Sequence, residues 1–222
     1  MEARSVTWTT TLAPKEGAPA REGLRERKKR ETRIALSWAA VRLTVERGYD
    51  NVRIEDIAAE AGVSLRTFRN YFTSKADAIA ARQVERGHAV NAALRERPAD
   101  EPLWDAIRIA VDAGFELDGN VGAAGRQLPD ESWLEGVRLM IAEPALKGAM
   151  AAAQFAVTEE LAGIVAERTG ATGVYPRLVA EVLSAAQLTA NREWLRADPP
   201  RPIFDLFHEV LDRITAGLPE PS

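Results

Sequence analysis

The chain has 222 residues, of which 46% are hydrophobic, 28% charged and 6% aromatic, with no cysteine and two histidines. This composition is globular, so collagen-like, mucin-like and wholly disordered chains are excluded, and so are disulfides, thiolate metal sites and cysteine nucleophiles. His88 and His208 lie far apart in sequence, which argues against a histidine zinc site; both read as structural residues, and no metal or cofactor is expected. No run of about 18 consecutive apolar residues occurs, so no membrane span is expected. No basic segment followed by an apolar core opens the chain, so no secretory signal is visible. The expected compartment is the cytoplasm, with nucleoid association when bound to DNA.

The net charge of −4 hides an asymmetry. Residues 21–82 carry fourteen basic and nine acidic side chains, a net +5, whereas residues 83–222 carry thirteen basic and twenty-two acidic, a net −9. A basic module joined to an acidic one is polarised: the first suits a polyanion and the second is repelled by it. Chance clustering on solvated helix faces gives the same sums, so charge alone leaves both readings open.

In chain order, residues 1–22 are rich in Thr, Ala, Gly and Pro and read as a mobile tail, in which Trp8 stands out as a large apolar side chain. Regular structure is expected from Gly23. Ile34, Trp38, Val41 and Val45 recur at three- and four-residue steps and predict an apolar helix face ended by Gly48. A short helix is expected over about 53–61, with Ile54, Ile57, Ala58 and Ala61 inward. Gly62-Val63 predicts a tight turn and Ser64 an N-cap for a helix ending near Tyr71-Phe72. Ser74 caps a long helix to about Glu96, stopped by Pro98. Further helices are expected over about 101–117, 130–142, 144–169, 175–196 and 202–217. No window shows sustained strand alternation. The fold class read from the sequence is all-α, about nine helices, with a tail over 1–22, a helix-turn-helix unit over 23–73 and a larger helical unit over 74–222.

Residues 53–72 are the most informative stretch. Ala58 is small enough for two helices to cross closely, Gly62 tolerates the positive φ of a sharp turn, and Val63 and Phe68 can plug the crossing. The following helix then presents Arg66, Thr67, Arg69 and Asn70 outward. These side chains suit a DNA groove: Arg bonds guanine or phosphate, Asn bonds adenine, and Thr bonds phosphate or packs on a thymine methyl. An ordinary helical hairpin with solvated arginines has a similar pattern. Three features favour DNA: the positive charge is local to this module, the preceding helix opens with Arg25, Arg27, Lys28, Lys29, Arg30 and Arg33, which can lie along phosphates, and Ser74-Lys75 sets a cation and a helix N-terminus beside the site.

Through Gly48-Tyr49, Ile54–Ala58, Ala61-Gly62-Val63-Ser64, Thr67-Phe68, Tyr71-Phe72 and Ser74-Lys75, the sequence resembles the TetR family of repressors. The resemblance is specific over about residues 25–80; the helical remainder agrees in length and helix count. It implies an N-terminal three-helix DNA-binding unit and a C-terminal unit that binds a small molecule and dimerises. Carried over by position, Thr67, Tyr71 and Lys75 are implied phosphate contacts, with Ser64 capping the reading helix. Arg66, Arg69 and Asn70 are implied base readers, and Arg53 can reach either. Family members often have Tyr where this chain has Arg69, and Ser or Thr where it has Arg53. Both changes add positive charge and imply a different base preference. The implied partners are double-stranded DNA bearing a palindromic operator, a second copy of the chain and a small-molecule effector.

In the C-terminal part, Ile203, Phe204, Phe207, Val210, Leu211, Ile214 and Leu218 form a wide stripe, preceded by Leu178, Val179, Val182, Leu183 and Ala186. Packed against a copy, these form a four-helix dimer interface through Leu178, Val182, Ala186, Ile203, Phe207, Val210 and Ile214; alternatively both stripes face the monomer core. Candidate cavity-lining residues are Trp104, Ile107, Val111, Phe115, Trp133, Val137, Met140, Ile141, Met150 and Phe155, although such stripes also make plain core. Arg138 can anchor an anionic ligand or pair with Glu135 or Glu131. The run Arg138–Leu146 resembles a segment of actinobacterial family members, some of which respond to acyl-CoA-type or other lipophilic ligands. No GxGxxG, P-loop, GxSxG or HExxH occurs in a fitting context, so no enzyme is expected. The rival reading is a ligand-independent or architectural DNA-binding protein.

Overall fold

A computed structural model describes residues 23–116 and 131–220, apart from the side chains of residues 113, 115, 116, 132 and 133. The expected tail over 1–22 and the candidate lining side chains Phe115 and Trp133 therefore lie outside the described residues. The described residues are all-helical and contain no strand. In order they form α1 (Leu24–Arg47), a 3-10 turn (Tyr49–Asn51), α2 (Ile54–Glu60), α3 (Leu65–Tyr71), α4 (Lys75–Glu96), α5 (Leu103–Glu116), α6 (Glu131–Ala142), α7 (Pro144–Thr169), α8 (Tyr175–Arg196) and α9 (Ile203–Thr215).

The helix ends follow the punctuation in the sequence. The Ser74 hydroxyl accepts from Asp77 N–H at 3.1 Å and starts α4. Pro144 sits in the first turn of α7, where its missing N–H costs nothing, and α7 ends at Gly170 in the left-handed region. The guanidinium of Arg168 donates to the carbonyls of Arg97, Pro98 and Glu101, tying the end of α7 to the α4–α5 connection.

The buried face of α1 differs from the predicted one. Leu36, Ala39, Ala40 and Leu43 are buried, whereas Ile34, Trp38, Val41 and Val45 are half-buried on the flanks. The reason is steric. Two alanines let α1 approach α4, which meets it with Ala76, Ala78, Ile79 and Ala81, all buried in the same cluster. The Ser37 hydroxyl, fully buried, donates to the Ala78 carbonyl across this contact. Trp38, too large for the seam, lies beneath the Arg82 guanidinium at 4.3 Å from its ring centre.

Two cores result. One joins the later part of α4 to α5, α7, α8 and α9 through Leu94, Ile107, Leu161, Val165, Leu183, Phe207 and Leu211. The other joins α1–α4 and also takes Val137 and Met140 of α6 and Leu146 of α7. The second core therefore extends past residue 73. α6 reaches it because Gly136 lies directly on Val45, where a Cβ would collide with the Val45 carbonyl. α4 belongs to both cores.

α7 is long and apolar enough, by length and composition, to cross a membrane. Its Leu161, Ile164 and Val165 are instead packed in the core, and one such helix is what a buried core helix also looks like.

α4 meets α7 closely at Gly87, where a Cβ would collide with the methyls of Val157. Gly87→Ala should gain about 1 kcal/mol of helix propensity but lose about 1–3 kcal/mol to overpacking. The expected outcome in thermal unfolding is net destabilisation, relieved by adding Val157→Ala. A stabilised single variant would show that α4 and α7 are not held this closely.

Candidate nucleic-acid interface and effector cavity

The crossing of α2 and α3 is built as the spacing requires. Gly62 has φ +68°, Gly62 N–H donates to the Ala59 carbonyl at 3.0 Å, and Val63 N–H reaches back to the Ala58 carbonyl at 2.9 Å. These two bonds are those of a Schellman turn, which satisfies the last carbonyls of α2 and reverses the chain within three residues. Ser64 then caps α3: its hydroxyl accepts from Thr67 N–H at 3.1 Å and lies 2.9 Å from the Thr67 hydroxyl. At the start of α2, Arg53 N–H donates to the Asp56 carboxylate at 2.9 Å, leaving the exposed Arg53 side chain outside the cap.

α3 has two unlike sides. Phe68 is fully buried and packs on Phe72 with ring centres 5.8 Å apart. Arg66, Arg69 and Asn70 sit at i, i+3 and i+4, so they share the opposite side, and all three are exposed. Thr67 and Tyr71 are half-buried between the two sides. The structure thus brings Arg66, Arg69 and Asn70 onto one outward face, flanked by Thr67 and Tyr71, with no acidic residue anywhere on α3.

Lys75 is not a free cation at the start of α4. Its ammonium donates to the carbonyls of Tyr49 and Val52, the latter at 2.8 Å, and lies 3.9 Å from the centre of the Tyr49 ring. It pins the 3-10 turn to α4, so its implied role as a phosphate contact is joined by a structural one. Burial lowers its pKa, with Asp50 and Glu143 acting in the opposite sense. Burial also raises the Tyr49 pKa, reinforced by Glu143, Asp50 and Asp77.

Farther up α4 a small cavity of about 40 Å³, partly open to solvent, lies between α4, α5, α7, α8 and α9. α4 lines it with Arg86, Gly87, Val90 and Asn91; Gln154, Thr158, Gln187 and Ser184 add polar groups, and Val111, Leu161 and Phe207 add apolar ones. Burial lowers the Arg86 pKa to about 10, and the neighbouring Arg82 charge acts in the same sense, so the guanidinium stays protonated at neutral pH. Asn91 is buried, and its amide donates to the Val157 carbonyl at 3.2 Å and to Glu160 at 3.0 Å. Glu160 also takes Arg95 at 2.8 Å and His88 at 2.6 Å. One carboxylate on α7 thereby holds three groups on α4. Burial alone would raise its pKa; the hydrogen bonds from Asn91, Arg95 and His88, with the His88 charge, outweigh this and lower it.

Of the eight candidate lining residues whose side chains are described, Val111 lines this cavity. Ile107 is fully buried in the core formed by α4, α5, α7, α8 and α9, with Trp104 packed against it. Val137 and Met140 are buried in the other core, with Ile141 and Met150 packed against it. Phe155 is 61% exposed. For Val137, Met140 and Ile141 the cause is docking of α6 on α1, which turns their stripe toward the N-terminal core. The sequence reading missed Arg86, Asn91, Gln154, Thr158 and Gln187. The available signal was polar residues set among apolar ones in helices that otherwise bury those faces.

The predicted dimer stripe is also largely used within the protomer. Ala186 and Phe207 are buried in its own core, and Ile203, Val210 and Ile214 pack partly against it. Val182 is half-buried. Leu178 is 53% exposed and shares one side of α8 with the exposed Val174, Tyr175 and Leu188. Arg138 donates to the Leu195 carbonyl at 2.7 Å and lies 3.4 Å from Glu135, so it serves the α6–α8 contact. His208 joins α9 to α5: its Nδ1 faces Arg108 at 2.8 Å and its Nε2 faces Asp112 at 2.7 Å. An arginine only donates, so Nδ1 accepts and Nε2–H donates to Asp112.

The comparisons with known proteins agree with this arrangement. Residues 38–81 match the model for bacterial regulatory proteins of the tetR family, and residues 101–219 match the MftR C-terminal domain. The chain belongs to the TetR family of transcriptional regulators. It is 32% identical over 211 residues to the HTH-type transcriptional regulator TcmR of Streptomyces glaucescens, covering 90% of each chain. It is 27% identical over 173 residues to the HTH-type transcriptional activator FasR of Mycolicibacterium smegmatis, covering 77% of this chain and 75% of the relative. In fold it is similar to the fatty acid degradation regulator FadR of Bacillus halodurans, with a TM-score of 0.56 at 19% identity, over 86% of this chain and 97% of the other. Helix-turn-helix DNA binding and a ligand-binding C-terminal domain are the family's properties.

Two outcomes test the geometry. Lys75→Ala should cost about 1 kcal/mol of stability, read as a lower melting temperature, because two carbonyls and the Tyr49 ring lose their cation; a pure phosphate contact would leave the melting temperature unchanged. Glu160 contributes stability that is present above the ordinary carboxylate pKa of about 4.3 and lost as pH falls through its lowered folded value. The gap in melting temperature between wild type and Glu160→Gln should therefore be full above about pH 4.3 and narrow steadily as the pH falls below it. A constant gap would remove the charge from the account.

Proposed function

We propose that this regulator is a homodimeric repressor that binds a palindromic operator and is released by a small lipophilic effector. The observation that carries the reading is the continuity of α4. Its first residue, Lys75, fixes the turn beside the DNA-reading unit, and three turns later Arg86, Gly87, Val90 and Asn91 form a wall of the cavity. A molecule that changes the packing of this wall changes the support of α3. A ligand shifts such an equilibrium only through its different affinity for the two states, typically by about 1–3 kcal/mol.

Base readout falls to Arg66, Arg69 and Asn70, with Arg53, Ser64, Thr67, Tyr71 and Lys75 setting register on phosphates. In the dimer, the exposed side of α8 around Leu178 and the half-buried Val182, Val210 and Ile214 meet a second copy. This places two reading helices about one DNA turn, roughly 34–36 Å, apart. The largely apolar cavity with a polar α4–α7 edge favours a lipophilic ligand with polar substituents. The site of action is the cytoplasm, and no step calls for catalysis or a membrane. Activation is the second reading, favoured by one observation: the relative FasR is named an activator.

The deciding experiment is selection of bound duplexes from a random pool at near-physiological salt. An enriched palindrome is the expected result, and retention without enrichment would indicate an architectural protein. Arg69→Ala should relax preference at one base pair of each half-site by about 1–3 kcal/mol. Equal losses on selected and random duplexes would end its role as a reader.

A further inference from the structure

The first two turns of α1 carry more charge than any other helical stretch of this size in the DNA-binding half. Residues 24–33 hold Arg25, Arg27, Lys28, Lys29, Arg30 and Arg33 against Glu26 and Glu31. Residues 24–31 are all exposed, and burial begins in earnest at Leu36. Eight helical residues span about 12 Å, so α1 projects that far beyond the body it packs on.

The projecting part is not charged at random. Arg25, Lys29 and Arg33 follow one another at four-residue steps, and the same row continues as Leu36, Ala40 and Leu43, which are buried against α4. The seam that is apolar inside the domain becomes cationic outside it, with Lys28 at its edge. Like charges four residues apart destabilise a helix, and Arg27 and Glu31, an exposed pair at 3.6 Å, offset part of this. Arg33 marks the exit of the seam. It lies over the Phe72 ring at 4.9 Å and bonds Glu85 at 3.1 Å. Phe72 is the residue that ends α3, so the cationic row leaves the body beside the end of the DNA-reading helix. The family model begins at residue 38 and does not reach this row. In another three-helix DNA-binding unit, the homeodomain, the segment leading into the first helix lies against the duplex beside the recognition contact.

We propose that Arg25, Lys28 and Lys29 form a second DNA-contacting element, which lies on the phosphates flanking the half-site and lengthens the footprint without reading sequence. The inference rests on α3 facing DNA, and its test separates the two. The full chain and an Arg25→Gln, Lys28→Gln, Lys29→Gln variant are titrated with the selected duplex, and with duplexes shortened at their flanks, over a range of salt. Each phosphate contact contributes about 0.9 to the slope of log affinity against log salt. Three lost contacts make the slope shallower by about 2.7 per bound protomer. Between 50 and 200 mM salt the wild type then loses about 40-fold more affinity per protomer than the variant. The variant should keep the ranking of mutated half-sites and the wild-type melting temperature, and it alone should be indifferent to shortened flanks. The charge-conserving Arg25→Lys, Lys28→Arg, Lys29→Arg variant should keep the wild-type slope. An unchanged slope with intact sequence preference would overturn the α1 contact alone, and a wild type that binds no duplex would overturn both readings. A variant that keeps its slope but loses self-association would overturn it in favour of a contact between copies.

Discussion

At residue 87 the backbone of α4 lies so close to Val157 of α7 that no side chain fits between them. A helix held at that distance cannot shift without repacking its neighbours, because a close-packed interior transmits strain rather than absorbing it. The same helix is held at its other end by small-on-small packing against α1, through Ala76 and Ala78 against Ala39 and Ala40. α4 is therefore a rigid element with two fixed seats, one in each core. Glu160 strengthens the upper seat by taking Asn91, Arg95 and His88 together, and Lys75 strengthens the lower one by closing the turn after α1.

The lower seat explains why a unit as small as α2–α3 can present three polar side chains in fixed positions. Seven-residue helices are marginal in isolation. Here each end is satisfied by a named group: Asp56 at the start of α2, the Schellman bonds of Gly62 and Val63 at its end, and Ser64 at the start of α3. Phe68 fills the centre and leaves Arg66, Arg69 and Asn70 on the far side. Positions set by caps and one buried ring are what base readout requires, since a hydrogen bond to a base edge tolerates little displacement.

Where the sequence was legible, the signal was local. Gly48, Pro98, Pro144 and Gly170 set helix boundaries through their own backbone preference, Ser64 and Ser74 through side-chain caps, and each boundary falls within about two residues of its expected place. The outward set on α3 was legible for the same reason, since one helical period separates it from Phe68. What failed was the assignment of partners. Periodicity shows that a face leaves water and is silent about which helix covers it. Trp38 and Val41 looked like the centre of the α1 seam by size, yet the centre is Ala39 and Ala40, because close approach rewards small side chains. Met140 and Val137 looked like cavity lining, yet Gly136 lets α6 settle on α1 and takes them into the N-terminal core. Phe207 lies on a stripe that periodicity leaves open to a dimer seam or the protomer's core, and it is buried in the core.

The cavity residues outside the sequence reading connect the upper seat to the proposed effector site. Asn91 belongs to both: its side chain lines the cavity, and its amide holds Val157 and Glu160 of α7. Gly87 also lines the cavity, one turn earlier, at the point of closest approach. A ligand that enters along α4 therefore meets the two residues by which α4 is fastened to α7. To bind, it must either fit beside them or displace them. Fitting beside them adds contacts and makes the upper seat firmer; displacing them loosens it. The sign of the response, release from DNA or retention on it, then depends on which of the two a ligand does. The same scaffold can serve a repressor and an activator without any change in α2, α3 or the proposed base-reading residues.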